Sequence, residues 1–318
     1  MQLEREQSCA ISSASLAPEE YAGAVPPPAE APIDIHLVRA LLGEQHPELA
    51  GLPLTNADEG WDNRMFRLGE ELAVRLPRRP ASASLIAHEQ RWLPILAPHL
   101  PLPVPNPIRV GRPGCGFPWP WSVTRWLPGE TALVSPPIDE FAAASDLARF
   151  LRALHRPAPH DAPRNPWRGV ALGARDVLLR EDVAAIGDRI DGAVVIQTWE
   201  RLRAAPCWTG AAMWIHGDLH PCNLLVRDSC LSGVLDFGDL TAGDPATDLS
   251  VGWMLLREPA RSAFRNLTCG PDGWLDGHAW TRARAWALAL GAAYLAHGGT
   301  NDRLAAVASA TIDEAILA

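Results

Sequence analysis

The chain contains no lysine; all 28 of its basic side chains are arginine. That absence excludes a P-loop of the GxxxxGK[ST] type, a Schiff-base lysine and a Ser-x-x-Lys nucleophile, each of which needs an ammonium group. A CxxC pair is missing as well. The six cysteines, Cys9, Cys115, Cys207, Cys222, Cys230 and Cys269, are scattered and read as reduced thiols with structural or incidental roles rather than as zinc or redox sites. No apolar run reaches the roughly 18 to 20 residues of a membrane span, the nearest lying around Trp286 to Ala296. Met1 to Gln7 is charged and leads into no apolar h-region. A cytoplasmic protein with no membrane partner is expected. With 37 acidic against 28 basic side chains, the net charge of −9 argues against nucleic acid as a partner, since such binding needs a basic surface to displace counterions.

What is present is an ordinary globular composition, 47% hydrophobic and 20% charged over 318 residues, a length that usually divides into two lobes. Residues 1–33 are rich in Ala, Pro, Ser and Glu, lack apolar periodicity and are expected to form a mobile tail. Ile35, Leu37, Val38, Leu41 and Leu42 then fit one face of a short helix. From Asn63 to Pro77 the pattern predicts a β-hairpin turning at Gly69 and Glu70. Ser82 to Leu96 predicts a helix with Ser82 or Ser84 as cap, and Pro-rich strands follow around Ile108 to Val110 and Trp119 to Leu127. The composition shifts near Pro128 and Gly129, a natural hinge. Beyond it, helical spacing marks Phe141 to Leu154, Leu172 to Ile190, Val194 to Ala204, Pro245 to Leu256, Trp280 to His297 and Arg303 to Leu317, interrupted by a strand-like block over Met213 to Phe237. The expectation is an α+β chain with a small strand-rich N-terminal lobe over 34–127 and a larger, mainly helical C-terminal lobe over 128–318.

Within the strand-like block stands His216-Gly217-Asp218-Leu219-His220-Pro221-Cys222-Asn223, followed by Gly233-Val234-Leu235-Asp236-Phe237-Gly238. Moving a γ-phosphoryl group requires one carboxylate beside the attacking hydroxyl and hard oxygen ligands for Mg²⁺ beside the phosphates, all on rigid turns. Asp218 can face the hydroxyl as base; Asn223 and Asp236 can grip the metal from opposite ends of one hairpin.

These motifs, with Asp239 and Gly243-Asp244-Pro245-Ala246-x-Asp248-Leu249 after them, resemble the aminoglycoside and macrolide phosphotransferase family, which shares the protein-kinase-like bilobal fold. The resemblance extends over about residues 34–318. It implies a nucleotide-dependent kinase that uses ATP or GTP with Mg²⁺ and phosphorylates a hydroxyl of a small molecule, with aminoglycoside and macrolide antibiotics among the candidate acceptors. Asp218 inherits the catalytic role, Asn223 and Asp236 inherit magnesium, and Asp248 is expected to brace the catalytic loop. His220 is expected at the transferring phosphoryl group, where protein kinases carry lysine. In the N-terminal lobe Arg75 and Glu89 match the strand cation and helical carboxylate that hold the inner phosphates, with arginine in place of lysine. Gly60-Trp61-Asp62-Asn63 occupies the place of the phosphate-covering loop, without a GxGxxG. Ser122 to Trp126, with Val123 and Thr124 at its centre, resembles the segment whose backbone receives adenine.

Two other readings start from the same residues. His216, Asp218 and His220 alternate, so on a strand they would share a face and could bind a transition metal in a hydrolase. Arg75, the absent glycine loop and Cys222, where the family usually has glycine, allow a kinase-like nucleotide binder without turnover. For the acceptor, six arginines balance six carboxylates from Arg257 onward, which does not favour a polycation such as an aminoglycoside.

Overall fold

The structure is a computed structural model and describes residues 28–59, 62–299 and 301–317. Most of the expected tail, residues 1–27, and the Gly60-Trp61 half of the expected phosphate-covering loop lie outside them. Helix α1 (Ile35–Gln45) starts where Asp34 caps it, its carboxylate accepting from the Leu37 N–H at 2.8 Å. Val38, Leu41 and Leu42 share a core with Phe66, Leu68, Val74, Leu76 and Trp121 of an antiparallel sheet. That sheet has five strands in the order β1-β2-β3-β5-β4, with β1 (Leu54–Glu59), β2 (Asn63–Leu68), β3 (Leu72–Pro77), β4 (Pro107–Gly111) and β5 (Trp121–Arg125). The β2–β3 hairpin turns at Gly69, in the left-handed region at φ +60°, as its sequence predicts. Strand β1 is not among the expected elements: Leu54-Thr-Asn-Ala-Asp-Glu59 carries almost no apolar signal, and as an edge strand it needs only the β2 ladder.

Alternation along β3 sends Val74 and Leu76 into that core and Arg75 to the opposite face, toward helix α2 (Pro80–Leu96). Neither expected serine caps α2. Pro80 begins it after Arg79, whereas the Ser82 hydroxyl donates to Asp62 and the Ser84 hydroxyl to the Ala81 carbonyl. Residues 82, 85, 86, 89, 92, 93 and 96 form the buried stripe of α2, so helical spacing alone puts Glu89 inside.

The remaining chain is mostly helical, with two small antiparallel sheets, so the whole is α+β. One sheet orders β6 (Glu130–Thr131), β8 (Leu224–Arg227) and β9 (Cys230–Val234) as β6-β8-β9; the other pairs β7 (Met213–Ile215) with β10 (Thr241–Gly243). The helices are α3 (Glu140–Leu154), α4 (Asp176–Ile186), α5 (Gly192–Arg203), α6 (Ala246–Leu249), α7 (Val251–Leu255), α8 (Ala260–Cys269), α9 (Ala279–His297) and α10 (Asp302–Leu317). Helix α9 is buried on nearly every side, its alanines letting α4, α5, α6 and α10 approach, and forms the pillar of this part. The expected helix over Pro245 to Leu256 is two helices broken at Ser250, whose hydroxyl donates to the Thr247 carbonyl. Helix α8 is an addition to the expected set; Phe264 is the only large apolar residue it buries.

Candidate active site

The segment from His216 to Asn223 joins β7 to β8 and is a loop, not a strand, so the alternation of His216, Asp218 and His220 does not create a shared face. Asp248, at the end of the third motif, holds it by the backbone. Its Oδ2 accepts the His216 N–H at 2.8 Å and its Oδ1 the Gly217 N–H at 2.9 Å. Behind it, Trp274 Nε1–H donates to His155 Nδ1 at 3.3 Å, which leaves the proton on His155 Nε2 to reach Asp248 Oδ2 at 3.1 Å. Gly217 needs its lack of a side chain twice over, with φ at +86° and an added Cβ 2.6 Å from the Asp239 carbonyl oxygen. Gly217→Ala is therefore expected to cost at least about 1–2 kcal/mol of stability, read as a lowered denaturation midpoint; an unchanged midpoint would remove Gly217 from this account.

Asp218 is buried, 2% exposed, and each of its oxygens is addressed by different elements. The Tyr294 hydroxyl on α9 donates to Oδ1 at 2.7 Å, and Arg168 Nη2 lies 3.3 Å from the same oxygen. His220 Nε2 and Asn223 Nδ2 stand 3.3 and 3.5 Å from Oδ2. Burial alone would raise the Asp218 pKa, but His220, Arg168 and the Tyr294 hydroxyl outweigh it and hold the carboxyl well below the usual carboxylate range. Burial and the adjacent Asp218 push the Tyr294 phenol well up, so it remains a donor. Asp239, which Arg168 Nε approaches at 3.7 Å, is pushed well above the carboxylate range by burial and by Asp218, Asp62 and Asp236 nearby, against the opposing pull of Arg168.

The structure places His220 beneath Asp218, fully buried, with Nδ1 accepting the Cys222 N–H at 3.3 Å. His216 uses Nδ1 to accept the Asp218 N–H at 3.2 Å and Nε2 to reach the Leu235 carbonyl at 2.8 Å. With both ring nitrogens engaged it has none for a metal, and no three His, Cys, Asp or Glu side chains converge as a metal site among the described residues. Cys115, Cys207, Cys230 and Cys269 are free thiols, as expected.

The Leu235 N–H donates to the Asn223 carbonyl at 2.8 Å, which places Asn223 and Asp236 at neighbouring positions of the hairpin backbone. Asn223 spends its amide N–H on the Asp218 carbonyl at 2.8 Å, while its Oδ1 accepts no hydrogen bond among the described residues. Asp236 sits at φ +55°, a left-handed conformation that is uncommon and costs a non-glycine residue energy. One of its oxygens accepts the Gly238 N–H at 3.2 Å; the other has no protein donor among the described residues. An amide oxygen and a carboxylate oxygen without protein donors among the described residues, on one hairpin, are of the type that Mg²⁺ takes when a nucleotide's phosphates complete its shell.

The N-terminal sheet meets this corner through Arg75 and Glu89, a buried pair at 2.6 Å. The Phe237 backbone N–H of the Asp-Phe-Gly turn helps to favour the ionised Glu89 carboxyl, so that turn lies beside the pair. Burial raises the Glu89 pKa and Asp236 adds to it, against the pull of Arg75. Burial opposes the Arg75 charge, but Glu89 and Asp236 together raise its pKa, so it stays charged. Asn63 begins β2, and its buried Oδ1 accepts no hydrogen bond among the described residues. Val123 and Thr124 lie inside the sheet: Val123 pairs with Val74 and Arg109, and Thr124 with Ala73 and Pro107. Their backbone groups face β3 and β4, and the chain leaves the sheet only at Trp126.

Sequence reasoning did not find Arg168, Tyr294, Asn165 or His155. Tyr294 carried a signal, being one of two tyrosines and the polar member of an Ala/Leu-rich helix. Arg168 carried only the turn residues around it, Pro163, Asn165, Pro166 and Gly169.

A buried carboxylate held ionised, an amide and a carboxylate on the hairpin after it, and a buried cation–carboxylate pair are the side chains that the sequence motifs singled out for phosphoryl transfer. A profile of the phosphotransferase enzyme family matches residues 53–298, and the chain belongs to that family. Among solved structures, the GDP complex of wild-type aminoglycoside 2'-phosphotransferase-IIIa superposes with a TM-score of 0.65 at 20% identity, covering 89% of this chain and 99% of that one. Macrolide 2'-phosphotransferase MphH from Brachybacterium faecium gives 0.55 at 23% identity over 88% and 98%. The streptomycin–ATP complex of the aminoglycoside phosphotransferase APH(2")-IIa gives 0.55 at 17% identity over 81% and 90%. The fold is thus the bilobal, protein-kinase-like α+β fold. No curated protein matches the sequence. No described helix is long and apolar enough to cross a membrane.

Proposed function

We propose that the protein transfers the γ-phosphoryl group of ATP or GTP to a hydroxyl of a small molecule, in the cytoplasm. What supports this reading is that the Asn223 amide lies 3.5 Å from the Asp218 carboxylate, while the Leu235 N–H bond to the Asn223 carbonyl sets Asp236 next along the hairpin backbone. Residues 34–127 supply the nucleotide-facing lobe and 128–318 the catalytic and acceptor lobe. Structural neighbours in complex with GDP and with ATP support a nucleotide co-substrate.

In this reading the acceptor hydroxyl donates to Asp218, which orients it and takes its proton as the new O–P bond forms and the bond from the γ-phosphorus to the β–γ bridging oxygen breaks, releasing the nucleoside diphosphate. Its depressed pKa makes Asp218 chiefly an orienting group that receives the proton late. Arg75, kept charged by Glu89, clamps the inner phosphates, and Asn63 with its unpaired Oδ1 contributes at the mouth of the hairpin. Asn223 and Asp236 would hold Mg²⁺, which neutralises charge on the phosphates when bound. His220 keeps Asp218 in place. Adenine or guanine would meet the backbone beyond Val123 and Thr124, at the exit from β5.

Asp236→Ala is expected to weaken magnesium-dependent nucleotide binding by at least about tenfold, as loss of even an indirect metal partner does; titration calorimetry with and without magnesium reads it, and an unchanged metal dependence would contradict the assignment. The reading as a whole is tested by nucleotide consumption across aminoglycosides, macrolides and hydroxylated metabolites. Acceptor-dependent consumption supports it, and nucleotide binding without turnover would leave the inert binder instead.

A further inference from the structure

The acceptor's chemistry is written in the segment that delivers Arg168. Residues 163–169 have no regular secondary structure, yet they are fastened along the chain from Asp239 to Asp244. The Ala242 N–H donates to the Pro163 carbonyl at 3.0 Å, the Asn165 N–H to Thr241 Oγ1 at 2.8 Å, and the Asp244 N–H to the Gly169 carbonyl at 2.8 Å. Asn165 Nδ2 donates to Asp239 Oδ1 at 2.7 Å, and its own Oδ1 accepts the Trp167 N–H at 2.8 Å. Gly169 and Gly243 cross so closely that a Cβ on Gly243 would lie 2.4 Å from the Gly169 carbonyl oxygen. The Arg168 side chain, 4% exposed, is therefore fixed with its guanidinium between Asp218 and Asp239.

That places a permanent positive charge 3.3 Å from the carboxylate that faces the attacking hydroxyl. An ammonium group next to that hydroxyl would ordinarily be drawn in by the carboxylate. Here Arg168 already neutralises it, and Asp239, the other buried carboxyl beside Arg168, is biased toward its neutral form. A cationic acceptor would lose its hydration and gain no net attraction; a neutral or anionic one meets no such penalty.

Resting on the phosphotransferase reading above, we propose that Arg168 is a specificity-determining residue and that the acceptor is a neutral or anionic alcohol with no ammonium group beside the reacting hydroxyl. The test measures kcat/KM with MgATP and MgGTP for three sets of alcohols: neutral sugars and polyols, hydroxy and sugar acids, and amino sugars with aminoglycosides and macrolides. The wild type should use members of the first two sets at least about tenfold better than any of the third. Arg168→Gln should close that gap at least about tenfold, while Arg168→Lys, which keeps the charge, should preserve it. A cationic alcohol as the best wild-type acceptor would overturn the proposal whether or not either variant folds. So would an unchanged ratio in a folded Arg168→Gln protein, or nucleotide binding with no turnover of any neutral or anionic alcohol. Absence of nucleotide binding, read by thermal shift, would instead defeat the phosphotransferase reading itself.

Discussion

Replacing Asp218 by Asn is expected to lower phosphoryl transfer by about 10²–10⁴-fold, the range a positioned acid–base group supplies, while nucleotide affinity changes by no more than a few-fold. The separation follows from geometry. Asp218 lies against Arg168 and Tyr294, on the proposed acceptor side, whereas the proposed nucleotide contacts are Arg75, Asn223 and Asp236. The Asn223 amide bond to the Asp218 backbone carbonyl does not involve the substituted side chain, so the proposed metal oxygen stays in place. The variant also changes how stability depends on pH. In the folded protein the Asp218 carboxyl is held below its unfolded value, so its ionisation contributes stability that is fully present above about pH 4 and fades as pH falls further. Acid denaturation of Asp218→Asn should therefore show a shallower loss of stability below about pH 4 than the wild type. A steeper loss would place the carboxylate in a different environment.

Asp248→Ala is expected to cost about 3–5 kcal/mol, the price of leaving several buried donors without their charged acceptor. For a chain of this size that corresponds to a fall in melting temperature on the order of 10 °C. Three donors lose their partner at once, the His216 and Gly217 N–H groups and the His155 ring. Because the first two belong to the loop that carries Asp218, activity should fall even at temperatures where the variant remains folded. Asp248→Asn keeps one acceptor oxygen and should lie between Ala and wild type in both readouts. A melting temperature within about 2 °C of wild type for Asp248→Ala would show that the loop is held by something else.

The groups whose geometry was legible in the sequence are those whose neighbours are near in the chain or set by strand and helix periods. His216 to Asn223 and Leu235 to Gly238 are two short motifs on either side of one hairpin, so their spacing already set Asn223 and Asp236 at neighbouring backbone positions. Alternation in β3 and the three-to-four spacing in α2 aimed Arg75 and Glu89 at one another across fourteen positions. The rest was hidden because its order comes from tertiary contact. Arg168 reaches Asp218 across 50 positions, Tyr294 across 76, and Trp274 reaches His155 across 119. No local pattern encodes such distances. Strand β1 was silent for a related reason, since an edge strand takes its shape from its neighbour's ladder and needs little apolar content of its own.

The most direct measurement is a crystal structure of the protein with a non-hydrolysable ATP analogue and Mn²⁺, located by its anomalous scattering. The ion is predicted to sit within coordination distance of both Asn223 Oδ1 and the Asp236 carboxylate, with the terminal phosphate facing Asp218. An ion bound to neither side chain, or a triphosphate lying away from the loop between β7 and β8, would contradict the account.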